Sequence, residues 1–343
     1  MKKKLFGKID DKEVYLYTLE NDDATLEIMT RGATIVSFKP FEVDVVAGFD
    51  TFDDYLKDTS HHGAVIGRVA NRIENASFSM DGAVYILPAN NNGNCLHGGI
   101  GFDYKVWDVK SASDDEITLA YYSPDGEEGF PSGLLVEVTY ILSGATVIIE
   151  YRATPEAKTP IALTNHAYFN LDGFGGTVYN HRATIYADRY TEVNDNLIPN
   201  GNHPNVEGTP FDFRTPRAIG KFFSSGFEGY DHNYVLSPKT YDIFRKNRVG
   251  LAAIVENDSL KMSVYTDQPG IQFYTANYMV KKRPDHVFRG GIDPIKHGAF
   301  CLEAQTEPNC VNRGEGFYEA GETYKQTTVY KIEKNQGVFL KKD

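Results

Sequence analysis

The sequence LVEVTYIL-SGA-TVIIEYR (residues 135–152) alternates apolar and polar side chains on both sides of a Ser143-Gly144 turn. Alternation with a period of two predicts strands that each bury one face, and a short turn between two such runs predicts an antiparallel hairpin. The Asp81-Gly82 turn gives a second clear hairpin signal. Similar alternating runs occur along the rest of the chain, at residues 24–38, 78–87, 261–277 and 327–333. This recurrence predicts an all-β protein.

The composition supports many strands and few helices. The 343 residues include 21 Phe, 22 Tyr and 31 Gly, which favour strands and turns. We predict only two short helices, at residues 51–57, with Thr51 as N-cap, and at residues 240–248. Strands and helices do not alternate as a parallel nucleotide-binding sheet requires. We therefore expect one large antiparallel β-sandwich forming a single domain over residues 1–343, with residues 194–216 as a surface loop.

Charge and cysteine content narrow the possible partners and the location. With 35 Lys+Arg and 47 Asp+Glu the net charge is −12, which argues against nucleic acid and anionic membrane surfaces as partners. The three cysteines, Cys95, Cys301 and Cys310, are odd in number and form no C-x-x-C pair, so we expect reduced thiols. Neither a signal peptide nor an apolar run of 18 residues is present, and we expect a cytoplasmic protein.

The common cofactor and protease motifs are missing from the sequence. It contains no G-x-x-x-x-G-K-[ST], H-E-x-x-H or G-x-S-x-G, so nothing supports a nucleotide cofactor or these hydrolase classes. His61 and His62 are adjacent, and adjacent residues of a strand point to opposite faces. We therefore predict that this pair lies in a solvated loop and is not a metal site.

Two strand-like segments carry polar side chains on one face. In residues 161–171, Thr164, His166, Tyr168 and Asn170 would share a face if the segment is extended. In residues 299–305, Glu303 and Gln305 face away from Phe300, Leu302 and Ala304. A glutamate in so apolar a stretch needs a polar partner or a catalytic purpose.

Two further segments add charge and backbone flexibility. Residues 67–74 would place Arg68, Arg72 and Glu74 on one side, which alone predicts an ion-paired edge. In residues 94–99, two glycines follow His97 and allow either close approach to a ligand or a tight turn. Each segment alone has a purely structural explanation. Together they suit a neutral polyhydroxylated ligand, and a Glu/His pair supplies a base and an acid.

The chain resembles the aldose 1-epimerase (galactose mutarotase) family from about residue 32 to residue 330. Six segments carry the resemblance in the family's order, and none departs from it at a functional position. They are GRVANRI (67–73), NCLHGG (94–99), TNHAYFNL (164–171), YDHN (230–233), DQPGIQFYT (267–275) and CLEAQ (301–305).

The resemblance implies a large antiparallel supersandwich of the galactose mutarotase type, with the sugar in a cleft. It implies that Glu303 is the general base, that His166 is the general acid and that His97 assists near the ring oxygen. No metal or cofactor is implied. The residues implied to bind or line the sugar are Asn71, Arg72, His97, Tyr168, Asp231 and Gln272.

The implied reaction interconverts the α and β anomers of D-galactose or D-glucose by opening and reclosing the ring. Glu303 would have to start ionised and His166 protonated, and we expect their mutual attraction to favour that state. A monosaccharide is the expected partner, and the chain is expected to be a monomer or a weak homodimer. The alternatives are a hexose-6-phosphate 1-epimerase, for which only Arg68 and Arg72 offer clustered charge, and a non-catalytic sugar-binding sandwich. A glycosidase is a weaker alternative, because it would need a pair of carboxylates across the bond that it cleaves, and Asp231 is better explained as a ligand of a sugar hydroxyl group.

Overall fold

The computed structural model describes residues 1–283 and 285–335, so the last eight residues of the predicted 1–343 domain lie outside it. Its largest element is a ten-stranded antiparallel sheet. In spatial order this ten-stranded sheet contains Asp108–Ala112, Glu116–Ser123, Leu134–Ser143, Thr146–Pro155, Tyr324–Lys334, Leu260–Thr266, Asn247–Glu256, Arg182–Ile185 and Arg217–Ala218, with Tyr241–Phe244 paired to Asn247–Glu256.

Two four-stranded antiparallel sheets complete the main framework. The N-terminal sheet contains Lys2–Ile9, Lys12–Glu20, Ala24–Met29 and Thr34–Pro40; the site sheet contains Arg189–Tyr190, Asp231–Val235, Gly270–Tyr274 and Cys301–Gln305. The described residues also form four separate two-stranded antiparallel pairs. These are Val65–Ile66 with Thr164–Asn165, Arg72–Ile73 with Cys95–Leu96, Ser77–Met80 with Ala83–Ile86, and Thr159–Pro160 with Phe317–Tyr318.

One apolar core joins the three larger sheets as a sandwich. Leu26 of the N-terminal sheet, Val138 of the ten-stranded sheet, and Phe273 and Leu302 of the site sheet all belong to a single buried cluster. The Tyr330 hydroxyl donates a hydrogen bond to the Leu302 carbonyl at 3.0 Å, which ties the ten-stranded sheet to the site sheet. The prediction of a large antiparallel β-sandwich is confirmed, as are the hairpins at 78–87 and 135–152.

The helices are few and short, as predicted, but one prediction was wrong. The α-helix spans Phe52–Lys57, and the Asp54 amide donates to Thr51 Oγ1 at 3.3 Å, as an N-cap requires. Residues 240–248 form a strand hairpin instead of a helix, turning at Arg245 with a φ of 57°. Pairing of Tyr241–Phe244 with the sheet edge overrides the local helical pattern. The 3₁₀ turns are Glu74–Ala76, Phe102–Tyr104, Glu127–Gly129, Ile219–Ser225, Arg289–Gly291 and Cys310–Arg313.

Residues 194–216 form a loop without strand or helix, as predicted. Phe213 anchors this loop in the main core, where its ring packs 5.0 Å from the ring of Tyr230. In the described parts of the chain, no helix has the length and apolar character needed to span a membrane.

Candidate active site

A cavity of about 230 Å³ opens beside the site sheet. It is smaller than the pockets of about 300–1,000 Å³ that hold drug-sized ligands, so it suits a small molecule. Seven of the eight predicted site residues line it, and only Gln272 does not. The lining residues are Thr59, Ser60, His61, Asn71, Arg72, Asn91, Leu96, His97, His166, Tyr168, Asp231, Tyr274, Tyr278, Lys282 and Glu303.

The site sheet presents acidic side chains to the cavity because its strands alternate. Leu302 faces the core, whereas Glu303 faces the cavity and is only 2% exposed. Gln272 pairs across the strands with Glu303, and its Nε2 donates to Asp231 Oδ1 at 2.6 Å. Gln272 thus lies behind Asp231 and orients that carboxylate within the cavity.

His166 faces Glu303 from a separate segment. The short strand Thr164–Asn165 is anchored by Thr164 Oγ1, which donates to the Ala304 carbonyl at 2.8 Å. This contact brings His166 Nε2 to 3.8 Å from Glu303 Oε1. Tyr168 stacks on the His166 ring at a centroid distance of 4.9 Å. A carboxyl and an imidazole therefore face one another at the cavity, as acid–base catalysis requires.

His97 and Asn71 are held together by paired backbone segments. The strands Arg72–Ile73 and Cys95–Leu96 pair, and the backbone N–H of Asn71 donates to His97 Nδ1 at 3.2 Å. Because Nδ1 accepts this bond, a neutral His97 carries its proton on Nε2. A Cβ on Gly98 would lie only 2.4 Å from the Gly67 carbonyl oxygen. This glycine therefore permits close packing of two backbone segments of the site.

Burial controls the protonation of the facing pair. Burial raises the pKa of Glu303 well above its ordinary value, the charge of Asp231 raises it further, and Arg72 partly opposes this. Burial, followed by the charges of His61 and His62, lowers the pKa of His166 to about 3. The free site thus favours a carboxylic acid beside a neutral imidazole. The expectation that their mutual attraction would favour an ionised Glu303 and a protonated His166 was wrong for the free site, because desolvation penalises both charges.

Arg72 is a cation of the cavity whose charge acts on both of its carboxyl groups, Asp231 and Glu303. Its Nε donates to Asn91 Oδ1 at 3.1 Å, and its charge lowers the pKa of both Asp231 and Glu303. Burial is the larger influence on Asp231 and raises the pKa of that carboxyl. A cation beside an aspartate offers donors and acceptors for adjacent hydroxyl groups.

Arg68 does not accompany Arg72 in the cavity, contrary to the predicted shared side. It is 2% exposed and donates to the carbonyl oxygens of Pro131 at 2.6 Å and Ser132 at 2.9 Å. Asn71 between the two arginines has a φ of 62°, so the segment is not a regular strand and its side chains do not alternate. Arg68 therefore serves the structure.

The solvated loop predicted for His61 and His62 was wrong. Both side chains are largely buried, and their Nδ1 atoms lie 2.7 Å from Asp103 Oδ2 and 3.1 Å from Asp58 Oδ1, respectively. His61 lines the cavity. Asp103 is 42 residues away in sequence, so spacing gave no signal for that pair. The other lining residues that the sequence did not indicate are Thr59, Ser60, Asn91, Leu96, Tyr274, Tyr278 and Lys282.

The described residues also bring together three possible metal donors. One ligand atom from each of His166, Cys301 and Glu303 lies within 4.8 Å of the others. The Cys301 thiol is 3.6 Å from His166 Nδ1, and burial raises its pKa well above the ordinary value. A buried neutral thiol is a poor metal ligand, because metals bind the thiolate. That the site works without a metal stays a prediction.

Comparisons with known proteins agree with one another. The family model described as "Aldose 1-epimerase" matches residues 15–331. Galactose mutarotase of Bos taurus is 39% identical over 331 residues, covering 92% of this chain and 93% of that protein. Aldose 1-epimerase of Escherichia coli (strain K12) is 33% identical over 342 residues, covering 94% and 96%.

The fold agrees as well. The crystal structure of galactose 1-epimerase from Lactobacillus acidophilus NCFM superposes with a TM-score of 0.86 at 25% identity, covering 97% of this chain and 98% of that one. Sequence and structure therefore lead to the same conclusion. The chain belongs to the aldose 1-epimerase family.

Proposed function

We propose that this protein is an isomerase that interconverts the α and β anomers of free aldohexoses, with D-galactose and D-glucose as substrates. The observation that carries the proposal is the buried Glu303–His166 pair, whose carboxyl and imidazole atoms lie 3.8 Å apart at a cavity suited to a small molecule. Family membership supports the reaction class.

In the proposed mechanism Glu303 is the base and His166 is the acid. The Glu303 carboxylate takes the proton of the C1 hydroxyl, the C1–O1 bond becomes a carbonyl, and the C1–O5 bond breaks. O5 takes a proton from His166 Nε2 as the ring opens. Rotation about the C1–C2 bond then presents the other carbonyl face, and the reverse transfers close the ring. Each acid–base partner typically contributes about 10²–10⁴-fold to the rate.

The proton balance of this mechanism fits the electrostatics of the free site. Ring opening leaves Glu303 protonated and His166 neutral, which is the arrangement that burial favours. The starting arrangement holds the same number of protons and differs only in which residue carries one. Hydroxyl groups of the cyclic sugar solvate the carboxylate and the imidazolium, so binding allows the proton to move from Glu303 to His166.

The remaining residues hold the sugar and leave C1 free to rotate. Asn71, Arg72 and Asp231 bind hydroxyl groups, and Gln272 acts by orienting Asp231. Tyr168 provides an aromatic wall beside His166. His97 donates Nε2–H toward the ring oxygen, because Asn71 occupies its Nδ1. These residues are distinct from Glu303, so the grip on the sugar does not restrict C1.

Phosphorylated hexoses are the less favoured substrates. Arg68 points away from the cavity, which leaves Arg72 and Lys282 as the lysine and arginine side chains that line it. Lys282 Nζ donates to Thr59 Oγ1 at 3.0 Å and lies at an exposed rim. A sugar phosphate that binds there would therefore be held by few cations.

We also propose that the chain acts as a single domain, as a monomer or weak homodimer in the cytoplasm, without nucleic acid or membrane partners. Its three cysteines are all free and buried, which suits a reducing compartment. The net charge of −12 disfavours anionic polymers and surfaces.

Saturation transfer between the anomeric proton signals in an NMR spectrum tests the substrate class directly. With D-galactose or D-glucose at equilibrium, catalytic amounts of the protein should transfer saturation between the α and β signals. D-glucose 6-phosphate should give less transfer at the same concentration. Binding of galactose without any transfer would favour a sugar-binding protein, and transfer confined to the phosphate would favour the phosphate epimerase.

A further inference from the structure

The cavity contains a third imidazole, His61, that the mechanism above does not use. Its ring centroid lies 4.8 Å from that of His97 and 5.9 Å from that of His166. Its Nδ1 lies 2.7 Å from Asp103 Oδ2, and its Nε2 makes no hydrogen bond to any described residue. The free ring nitrogen belongs to a residue that lines the cavity.

We propose that His61, held by Asp103, is a further substrate-contacting residue of this site, forming a hydrogen bond between its Nε2 and a sugar hydroxyl group. This inference rests on the proposed function, since it requires a sugar in the same cavity.

The backbone conformation of His61 separates its side chain from that of the adjacent His62. His61 has a φ of 59°, and the cavity residues Asn71 and His97 have φ values of 62° and 56°. At His61 this conformation lets adjacent histidines diverge, so that His61 reaches Asp103 while His62 reaches Asp58.

The direction in which the pKa of His61 shifts follows from its partner. The Asp103 side chain is 6% exposed, and its Oδ2 lies 2.7 Å from His61 Nδ1, so the carboxylate favours a proton on that nitrogen. Burial alone would lower the pKa of His61, but the hydrogen bond and charge of Asp103 outweigh burial and raise it. A positive charge on His61 in turn lowers the pKa of His97 and of His166. The titratable and charged groups that act on His61 are Asp103, Asp58, Arg31, His97, Tyr104 and His166.

Two variants distinguish the proposed contact between His61 and the sugar from the hydrogen bond by which Asp103 holds His61. In His61→Asn the amide can still bond Asp103 but nothing reaches the position of Nε2, whereas Asp103→Asn keeps the shape and removes the charge. The matched control is His203→Asn, because His203 Nε2 forms a similar 2.8 Å contact with Glu307 Oε2 away from the cavity. Isothermal titration with D-galactose should show binding about tenfold weaker in the first two variants, the size of one hydrogen bond. The control should bind as wild type does.

Histidine-selective NMR gives a readout that a merely structural role would not move. The imidazole signal that disappears in His61→Asn belongs to His61, and it should titrate with a pKa above the ordinary histidine value. The same signal should shift when D-galactose binds to wild type. In Asp103→Asn its pKa should be lower than in wild type. If His61→Asn fails to fold, the signal whose pKa falls in Asp103→Asn identifies His61 instead, because Asp103 is its direct partner. The inference is wrong if wild type binds and interconverts galactose while the variants bind it equally or the His61 signal ignores saturating sugar. If wild type does neither, the proposed function itself fails, and this inference fails with it.

Discussion

Glu303 Oε1 lies 3.8 Å from His166 Nε2, with both side chains almost wholly buried. Glu303 Oε2 has no hydrogen-bond partner among the described residues. A buried carboxyl oxygen without a partner is costly, and such a group at a cavity is a candidate for acid–base chemistry. Burial favours a protonated carboxyl beside a neutral imidazole in the free site, and the position of that proton connects the electrostatics with the proposed reaction.

The acid limb of the pH profile should lie far below the ordinary histidine range. Because burial and neighbouring charges lower the pKa of His166 to about 3, the pair gains a second proton only near that pH. The kcat/KM, which reports the free enzyme, should stay level from neutral pH to about pH 5 and fall toward pH 3, since two protonated groups leave no base. Polarimetric rates corrected for the buffer blank test this. Half-loss near pH 6.5 would show an unperturbed imidazole.

Gln272→Ala should weaken sugar binding without removing catalysis. The variant deletes the 2.6 Å hydrogen bond that orients Asp231, and a hydrogen bond to a charged group is worth about 1.5–3 kcal/mol. KM for galactose should therefore rise about tenfold or more while kcat changes little. Gln268→Ala is the control, because Gln268 makes an exposed bond to Asp267. An unchanged KM would show that Gln272 has no part in the site.

Arg68→Met should destabilise the fold. Arg68 is buried and donates to the carbonyl oxygens of Pro131 and Ser132 and to Ser123 Oγ, so its loss leaves several acceptors unpaired. We expect the free energy of unfolding in urea to fall by about 3 kcal/mol. The exposed Arg182, which bonds one carbonyl, provides the control Arg182→Met, with a change within about 0.5 kcal/mol. Equal losses in both variants would contradict a structural role specific to Arg68.

Chelators should leave the activity unchanged. The possible donors His166, Cys301 and Glu303 are buried, and the raised pKa of the Cys301 thiol disfavours the thiolate that a metal would bind. The rate at which the sugar anomers approach equilibrium, measured by polarimetry after dialysis of the protein against EDTA, should equal the rate before dialysis. A loss of activity that added divalent cation restores would refute the metal-free mechanism.

The sequence predicts the strands well because their alternation is local. Hairpins such as residues 135–152 follow from period-two patterns and short turns, and the same alternation places Glu303 opposite Leu302. The helix predicted at residues 240–248 failed because pairing with a sheet edge is not visible locally.

The site is less predictable where the backbone is irregular or the partners are distant. Arg68 and Arg72 do not share a face because Asn71 has a left-handed conformation. His61 and Asp103 meet although 42 residues separate them. The protonation of Glu303 and His166 depends on burial, which the motif itself does not reveal.

The most direct measurement is polarimetry of freshly dissolved α-D-galactose and α-D-glucose with wild type, Glu303→Gln and His166→Asn, together with isothermal titration of each protein. Fast relaxation to the anomeric equilibrium by wild type, lost in both variants although galactose still binds, is the predicted result. Relaxation at the buffer rate with wild type would contradict the proposed activity. Wild-type rates in Glu303→Gln, or loss of binding that matches the loss of rate, would contradict the role of Glu303 as the general base.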